Sequence, residues 1–347
     1  MKKIILSLLI VIALLSCQQE QISIGTSIND NFYLQNKGVS MPVRVFGNTK
    51  SNTFMMIIHG GPGGDAIVYR DEYIKQNVEN QCAVVYWDQR NAGASQGGAN
   101  GNYFKLENFI DDFEKVILLL KQRYGKDISI FVNGHSWGGY LTPAFLSTKN
   151  NQELVKGWIQ TDGAHNFTLL NKFSKQMLLD KAKIEIAANK NVAKWTETSN
   201  YCNGLTLPLD VYQWNDFNKI GVQAMDVTTE IQYRGDKPTP LPRYLDNNAP
   251  LTAIFLNLIY NPVTINMIKD TYTKAPINLS VIKIPTLLLF GKYDYICPPQ
   301  LADDIENTIQ SKYRKKVIFQ KSGHSPMIGI EEPEYWTEIM QFINKFK

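Results

Sequence analysis

One serine, Ser136, stands in NGHSWGGY (residues 133–140) between Gly134 and Gly138. A serine hydroxyl is a weak nucleophile at neutral pH and needs a base to take its proton. A sharp turn from a strand into a helix pushes such a side chain clear of a sheet, and its neighbours must be small to avoid colliding across the turn. Asp294 in FGKYDYICPP and His324 in FQKSGHSP each follow an apolar run. A histidine there would take the Ser136 proton and later pass it to a leaving group, while the aspartate would hold the imidazole's tautomer. HGGPGG at 59–64 is a further ingredient. Acyl transfer develops negative charge on a carbonyl oxygen, which calls for preorganised N–H donors. We assign them to the amide of Gly60 or Gly61 and the amide of Trp137. The chemistry these residues point to is acyl transfer through a serine, a mechanism that uses no cofactor and no metal.

These residues need elements to position them. The runs at 53–60, 82–89, 128–134, 154–162, 286–294 and 316–323 read as strands, alternating with amphipathic stretches. This rhythm predicts a mostly parallel central sheet flanked by helices. NFYLQ and MPVRVFG read as an antiparallel start joined at Asn36-Lys37-Gly38. In ENFIDDFEKVILLLKQRYG, the spacing puts Phe109, Phe113, Val116, Ile117 and Leu120 on one helix face, with Gly125 as the stop. Ser136 follows a strand and precedes a helix, while Asp294 and His324 fall in strand-to-helix loops, where functional groups gather in open sheets. The order Ser136, Asp294, His324 is that of α/β-hydrolases. Between Gly163 and Pro276 the rhythm breaks, and an insertion of this size predicts a largely helical cap rather than a loop. The expected division is therefore a core over 23–162, a cap over 163–276, and the rest of the core over 277–347.

Taken together, HGGPGG (59–64), WDQRNAGAS (87–95), GHSWGG (134–139), GKYDYICP (291–298) and SGH (322–324) resemble the proline iminopeptidase family of α/β-hydrolases. The likeness covers roughly residues 40–160 and 280–345. It implies a serine hydrolase that removes an N-terminal residue, often proline, from peptides, with Ser136, Asp294 and His324 as its triad. Asn91 departs from the family pattern, where glycine is usual; asparagine also accepts left-handed geometry. We read Asp88 and Arg90 as a structural pair bracing the loop, His59 as packing behind the glycine loop, and His135 as the variable position of the elbow. The family binds the substrate's ammonium with cap glutamates, which makes Glu185, Glu197 and Glu230 candidates, with Asp226 near the last and Trp195 as a pocket wall.

The chain opens with Lys2 and Lys3, an apolar run from Ile4 to Leu15, and Ser16-Cys17. The run is too short to cross a bilayer of about 30 Å as a helix. LLSC resembles a bacterial lipobox, so residues 1–16 read as a lipoprotein signal peptide, Cys17 as the lipidated residue and 17–22 as a tether. The expected location is exported, anchored to a membrane of the cell envelope through that N-terminal lipid. Without the leader, 34 basic residues face 32 acidic ones, a balance that gives no ground for a nucleic-acid partner. Three cysteines besides Cys17 argue against a disulfide scaffold. The leading expectation is a lipid-anchored aminopeptidase acting on short peptides. An esterase or amidase acting on small acyl substrates, and a surface lipoprotein that binds ligands without turnover, stay open beside it.

Overall fold

The computed structural model describes residues 28–97, 103–228, 268–271, 274 and 276–347. The leader, Cys17, the tether and Glu230 lie outside the described residues. Strands β1 (Ile28–Asn36) and β2 (Val39–Gly47) form the antiparallel start. Asn36 pairs with Val39, leaving Lys37 and Gly38 as a two-residue turn with φ of 48° and 75°. Two left-handed residues in succession match the right-handed twist of the flanking strands.

The sheet continues through β3 (Thr53–Ile58), β4 (Ala83–Trp87), β6 (Ser129–His135), β7 (Gly157–Thr161), β8 (Thr286–Gly291) and β9 (Arg314–Phe319). Its order is β1-β2-β4-β3-β6-β7-β8-β9, with the short β5 (Gln96–Gly97) pairing beside β2. From β4 to β9 every pairing is parallel, while β2 meets β4 antiparallel. The chain belongs to the α/β class with a mostly parallel sheet.

Period-two alternation explains why TFMMII is a strand buried on both faces. Phe54, Met56 and Ile58 pack into one core layer, Met55 and Ile57 into the other. The first layer is closed by α2 (Leu106–Tyr124), α3 (Gly138–Leu146) and α7 (Gln300–Thr308). The second is closed by α1 (Glu72–Asn77) and α8 (Glu332–Phe346). In α2 the predicted face is the buried one: Phe109, Phe113, Val116, Ile117 and Leu120 all point inward. Gly125 follows it with φ 119°.

Strand order reverses between β3 and β6. The chain leaves β3 toward the α1 layer, where Ile67 and Ile74 pack, and leaves β6 toward the α2–α3 layer, where Tyr140 and Leu141 pack. Loops that depart to opposite faces open a crevice at the carboxyl ends of the strands. HGGPGG and the serine turn leave those two ends.

Between β7 and β8 lie α4 (Phe167–Ala187), α5 (Val192–Gly204) and α6 (Val211–Thr228). They share an apolar cluster of their own, including Leu178, Ala182, Trp195, Cys202 and Phe217. Tyr295, beside Asp294, joins that cluster and connects it to the sheet's carboxyl edge. Cys82, Cys202 and Cys297 are unpaired and buried. Among the described residues, no helix is long and apolar enough to cross a membrane.

Candidate active site

Ser136 occupies the turn between β6 and α3 with φ 57°. That conformation costs an L-residue on the order of 1–3 kcal/mol and persists only where the surroundings enforce it. Here its amide donates to Thr161 O (3.2 Å), and its carbonyl accepts from the amides of Gly139 (2.9 Å) and Ala164 (3.1 Å). The flanking glycines have steric causes. A Cβ on Gly138 would sit 1.9 Å from Ile58 O, and one on Gly134 would sit 2.5 Å from Gly138 O. Gly60 approaches from β3, where a Cβ would lie 2.8 Å from Ser136 Cβ. The turn is compressed between two backbones, with no room for a methyl group.

Asp294 is wholly buried. Its Oδ1 accepts the amides of Ile296 and Cys297, both at 2.8 Å, and its Oδ2 lies 2.8 Å from His324 Nδ1. A carboxylate accepts, so Nδ1 carries the hydrogen and Nε2 is left as the basic nitrogen of a neutral ring. The His324 side chain is 16% exposed, so the ring is not sealed from an incoming group.

A chain of hydrogen bonds ties the glycine loop to the histidine loop. The Gly60 amide donates to Tyr69 Oη (3.2 Å), Tyr69 Oη donates to His135 Nδ1 (2.6 Å), and His135 Nε2 donates to the His324 carbonyl (2.8 Å). Burial, chiefly, with the neighbouring His324, holds His135 down at about 3, so it stays neutral and keeps this tautomer. The variable position of the elbow is thus a linking residue. Gly60's amide is spent on Tyr69. Among the described residues, the Gly61 and Trp137 amides have no internal hydrogen-bond partner, so of the two glycines considered Gly61 is the one with a free donor.

His59 lies behind this loop. Its Nε2 accepts the Gln89 amide (3.1 Å), so Nδ1 is the donor to Gly60 O (2.8 Å). Gln89 also accepts from Trp137 Nε1 (3.3 Å), which links the loop after β4 to the start of α3. Asp88 and Arg90 are not paired with each other. Asp88 bonds Arg44 (3.0 Å) and the amides of Ala66 and Ala94, whereas Arg90 clasps Asp112 through Nε (2.5 Å) and an Nη (2.8 Å). Asn91, between the two networks, is left-handed with φ 58°.

The cap candidates separate. Glu197 is exposed and pairs with Lys194 (3.2 Å) on its own helix. Glu185 pairs with Lys181 (2.5 Å), also on its own helix. Trp195 is 1% exposed in the cap's apolar cluster, edge-on to Tyr295, which is a packing position. A cavity of about 160 Å³ opens beside His324. Its walls include Val222, Met225 and Asp226 of α6, and Lys321 and Ile328 from the histidine side. Asp226 is the described cap acid on that cavity. His165 bonds Asp304 on α7 (2.7 Å) where the cap begins.

Fold and site together define a hydrolase with its reactive groups on loops at one sheet edge. Residues 53–329 match the family model described as the alpha/beta hydrolase fold. The chain belongs to that family and is an alpha/beta hydrolase of the proline iminopeptidase type. It is 33% identical over 301 residues to a probable aminopeptidase, YbaC, of Bacillus subtilis, covering 83% of this chain and 88% of that one. Its identity to a proline iminopeptidase of Saccharolobus solfataricus is 25% over 328 residues, covering 92% and 94%. Among solved structures, a proline iminopeptidase-related protein from Thermus thermophilus superposes with a TM-score of 0.55 at 18% identity, covering 91% of this chain and 98% of that one.

Proposed function

We propose that this chain is an exported, lipid-anchored serine aminopeptidase that releases N-terminal proline, or another small apolar residue, from short peptides through an acyl-enzyme. One observation carries the reading. A left-handed serine turn, a partly exposed His324 whose Nδ1 faces Asp294, and the Gly61 and Trp137 amides, unpartnered among the described residues, gather at one sheet edge. Ser136 Oγ attacks the scissile carbonyl as His324 Nε2 takes its proton. The amides of Gly61 and Trp137 meet the developing oxyanion. His324 then protonates the departing amine, and water, activated by the same nitrogen, releases the acyl group. Asp226, an exposed acid on the cavity beside His324, is the described carboxylate placed to meet the substrate's ammonium. The peptidase names of the relatives agree with this reading, and the leader sequence supports the anchor.

The test uses the soluble mature chain with a prolyl arylamide, its N-blocked twin and a short-chain aryl ester. Cleavage of the free-amine substrate alone among the amides is expected, with Ser136→Ala slower by about 10⁴-fold or more on every substrate cleaved. Asp226→Asn should raise KM for the free-amine arylamide by about two- to fivefold, the effect of an exposed ion pair, and leave the ester unaffected. Ester cleavage alone would replace the peptidase reading with an esterase. Turnover that survives Ser136→Ala would remove the serine mechanism.

A further inference from the structure

Asp162 closes β7 in a left-handed conformation (φ 41°) and has no exposed surface. Its amide donates to Leu289 O (2.9 Å), and its Oδ1 accepts the Gly291 amide (2.8 Å). Those bonds hold the end of β8, from which the Asp294 loop departs. This brace uses one carboxyl oxygen. The other, Oδ2, is buried without a hydrogen-bond donor among the described residues.

The ionisable groups facing it are Asp294, His324, His135, Cys297 and Tyr335. None has a hydrogen placed for it. Both His135 nitrogens are engaged, His324 Nδ1 serves Asp294, and the Tyr335 hydroxyl is held between Asn133 and Thr161. The Cys297 thiol makes no hydrogen bond to Oδ2. Asp294 itself is in side-chain contact with Asp162. Two bare carboxylates in contact in a buried site repel each other and leave an oxygen unsatisfied.

We propose that Asp162 is a carboxylic acid that shares its proton with Asp294, so that the two side chains hold a single negative charge behind His324. The inference rests on the serine-hydrolase reading and adds a positioning residue to it. Oδ2 then donates to Asp294, which gives the orphaned oxygen its partner and Asp294 a fourth hydrogen bond. Burial, then the charge of Asp294, pushes the Asp162 carboxyl well above the ordinary carboxylate range. A carboxylate oxygen of Asp162 also lies within 4.8 Å of a ring nitrogen of His324. If Asp294 becomes an amide, the repulsion disappears, Asp162 ionises, and the charge moves to the neighbouring side chain rather than vanishing.

Infrared difference spectroscopy of the full chain against Asp162→Asn tests the proton without any substrate. A buried carboxylic-acid C=O band at neutral pH that is lost in the variant is expected; its absence from the native chain would overturn the proposal. Rates on the aryl ester test the role. Asp162→Leu, which leaves Asp294 one donor short, should lower kcat about tenfold at constant KM, and Asp162→Asn, which restores an N–H there, should recover most of the loss. Placed on Asp294→Asn, Asp162→Asn should cost about a further hundredfold by removing the last carboxylate. An Asn variant as slow as the Leu variant, or a double variant no slower than Asp294→Asn, would also overturn it. A chain that cleaves no substrate would count against the hydrolytic reading, and the infrared band would still decide where the proton sits.

Discussion

Single residues at this site are defined by which hydrogen they carry. His59, His135 and His324 are each fixed in one tautomer by an acceptor or donor that can play only one role: the Gln89 amide, the His324 carbonyl and the Asp294 carboxylate. Asp65, on the glycine loop, is a different case. Burial and the neighbouring charge of Asp88 push its carboxyl up to about 7. In the unfolded chain an aspartate titrates near 4. Between those values the folded protein holds a proton that the unfolded chain releases, so stability falls as pH rises from about 4 to about 7 and levels off above. Asp65→Asn keeps an acceptor for the Ile67 amide and cannot ionise. Urea midpoints at pH 5 and pH 8 should therefore differ less in the variant, and an unchanged difference would mean that Asp65 is already ionised at pH 5.

At the scale of elements, the site depends on what the turns allow. Spacing made the serine elbow, the glycine loop and the Asp294 and His324 loops legible, because each is a local pattern of small or polar residues after an apolar run. The helix face of α2 was legible for the same reason. What spacing could not reach was long-range. Tyr69 meets His135 across 66 residues of sequence, and Gly291 meets Asp162 across 129. A tyrosine or aspartate at a strand end carries no local mark of such a partner. Tyr69→Phe removes both the acceptor for Gly60 N–H and the donor to His135. Ester hydrolysis should then fall about tenfold in kcat with little change in KM, beyond a stability cost of about 1–3 kcal/mol. A lower melting temperature with unaltered kcat would reduce Tyr69 to a packing residue.

On the scale of the whole molecule, ionic contacts tie distant parts of the core to the site. Asp88 and Arg90 read as a structural pair bracing the loop near the site. Instead each reaches away, to Arg44 on β2 and to Asp112 on α2. Arg90 and Asp112 both have fully buried side chains. Arg90→Met leaves the carboxylate without its counter-charge and should destabilise the fold by about 3–5 kcal/mol in denaturant titrations, with part of the loss recovered by adding Asp112→Asn. No recovery in the double variant would mean that the guanidinium matters through packing rather than charge.

The bonded chain from Gly60 through Tyr69 and His135 to the His324 carbonyl has a consequence for motion. Two loops that would otherwise breathe separately share one latch, so the amide-receiving loop and the base-bearing loop open together or stay shut together. Hydrogen exchange would register this as one event. The Gly60 amide and those around Ser322–His324 would exchange at a common opening rate, and replacing the tyrosine would separate that rate into two.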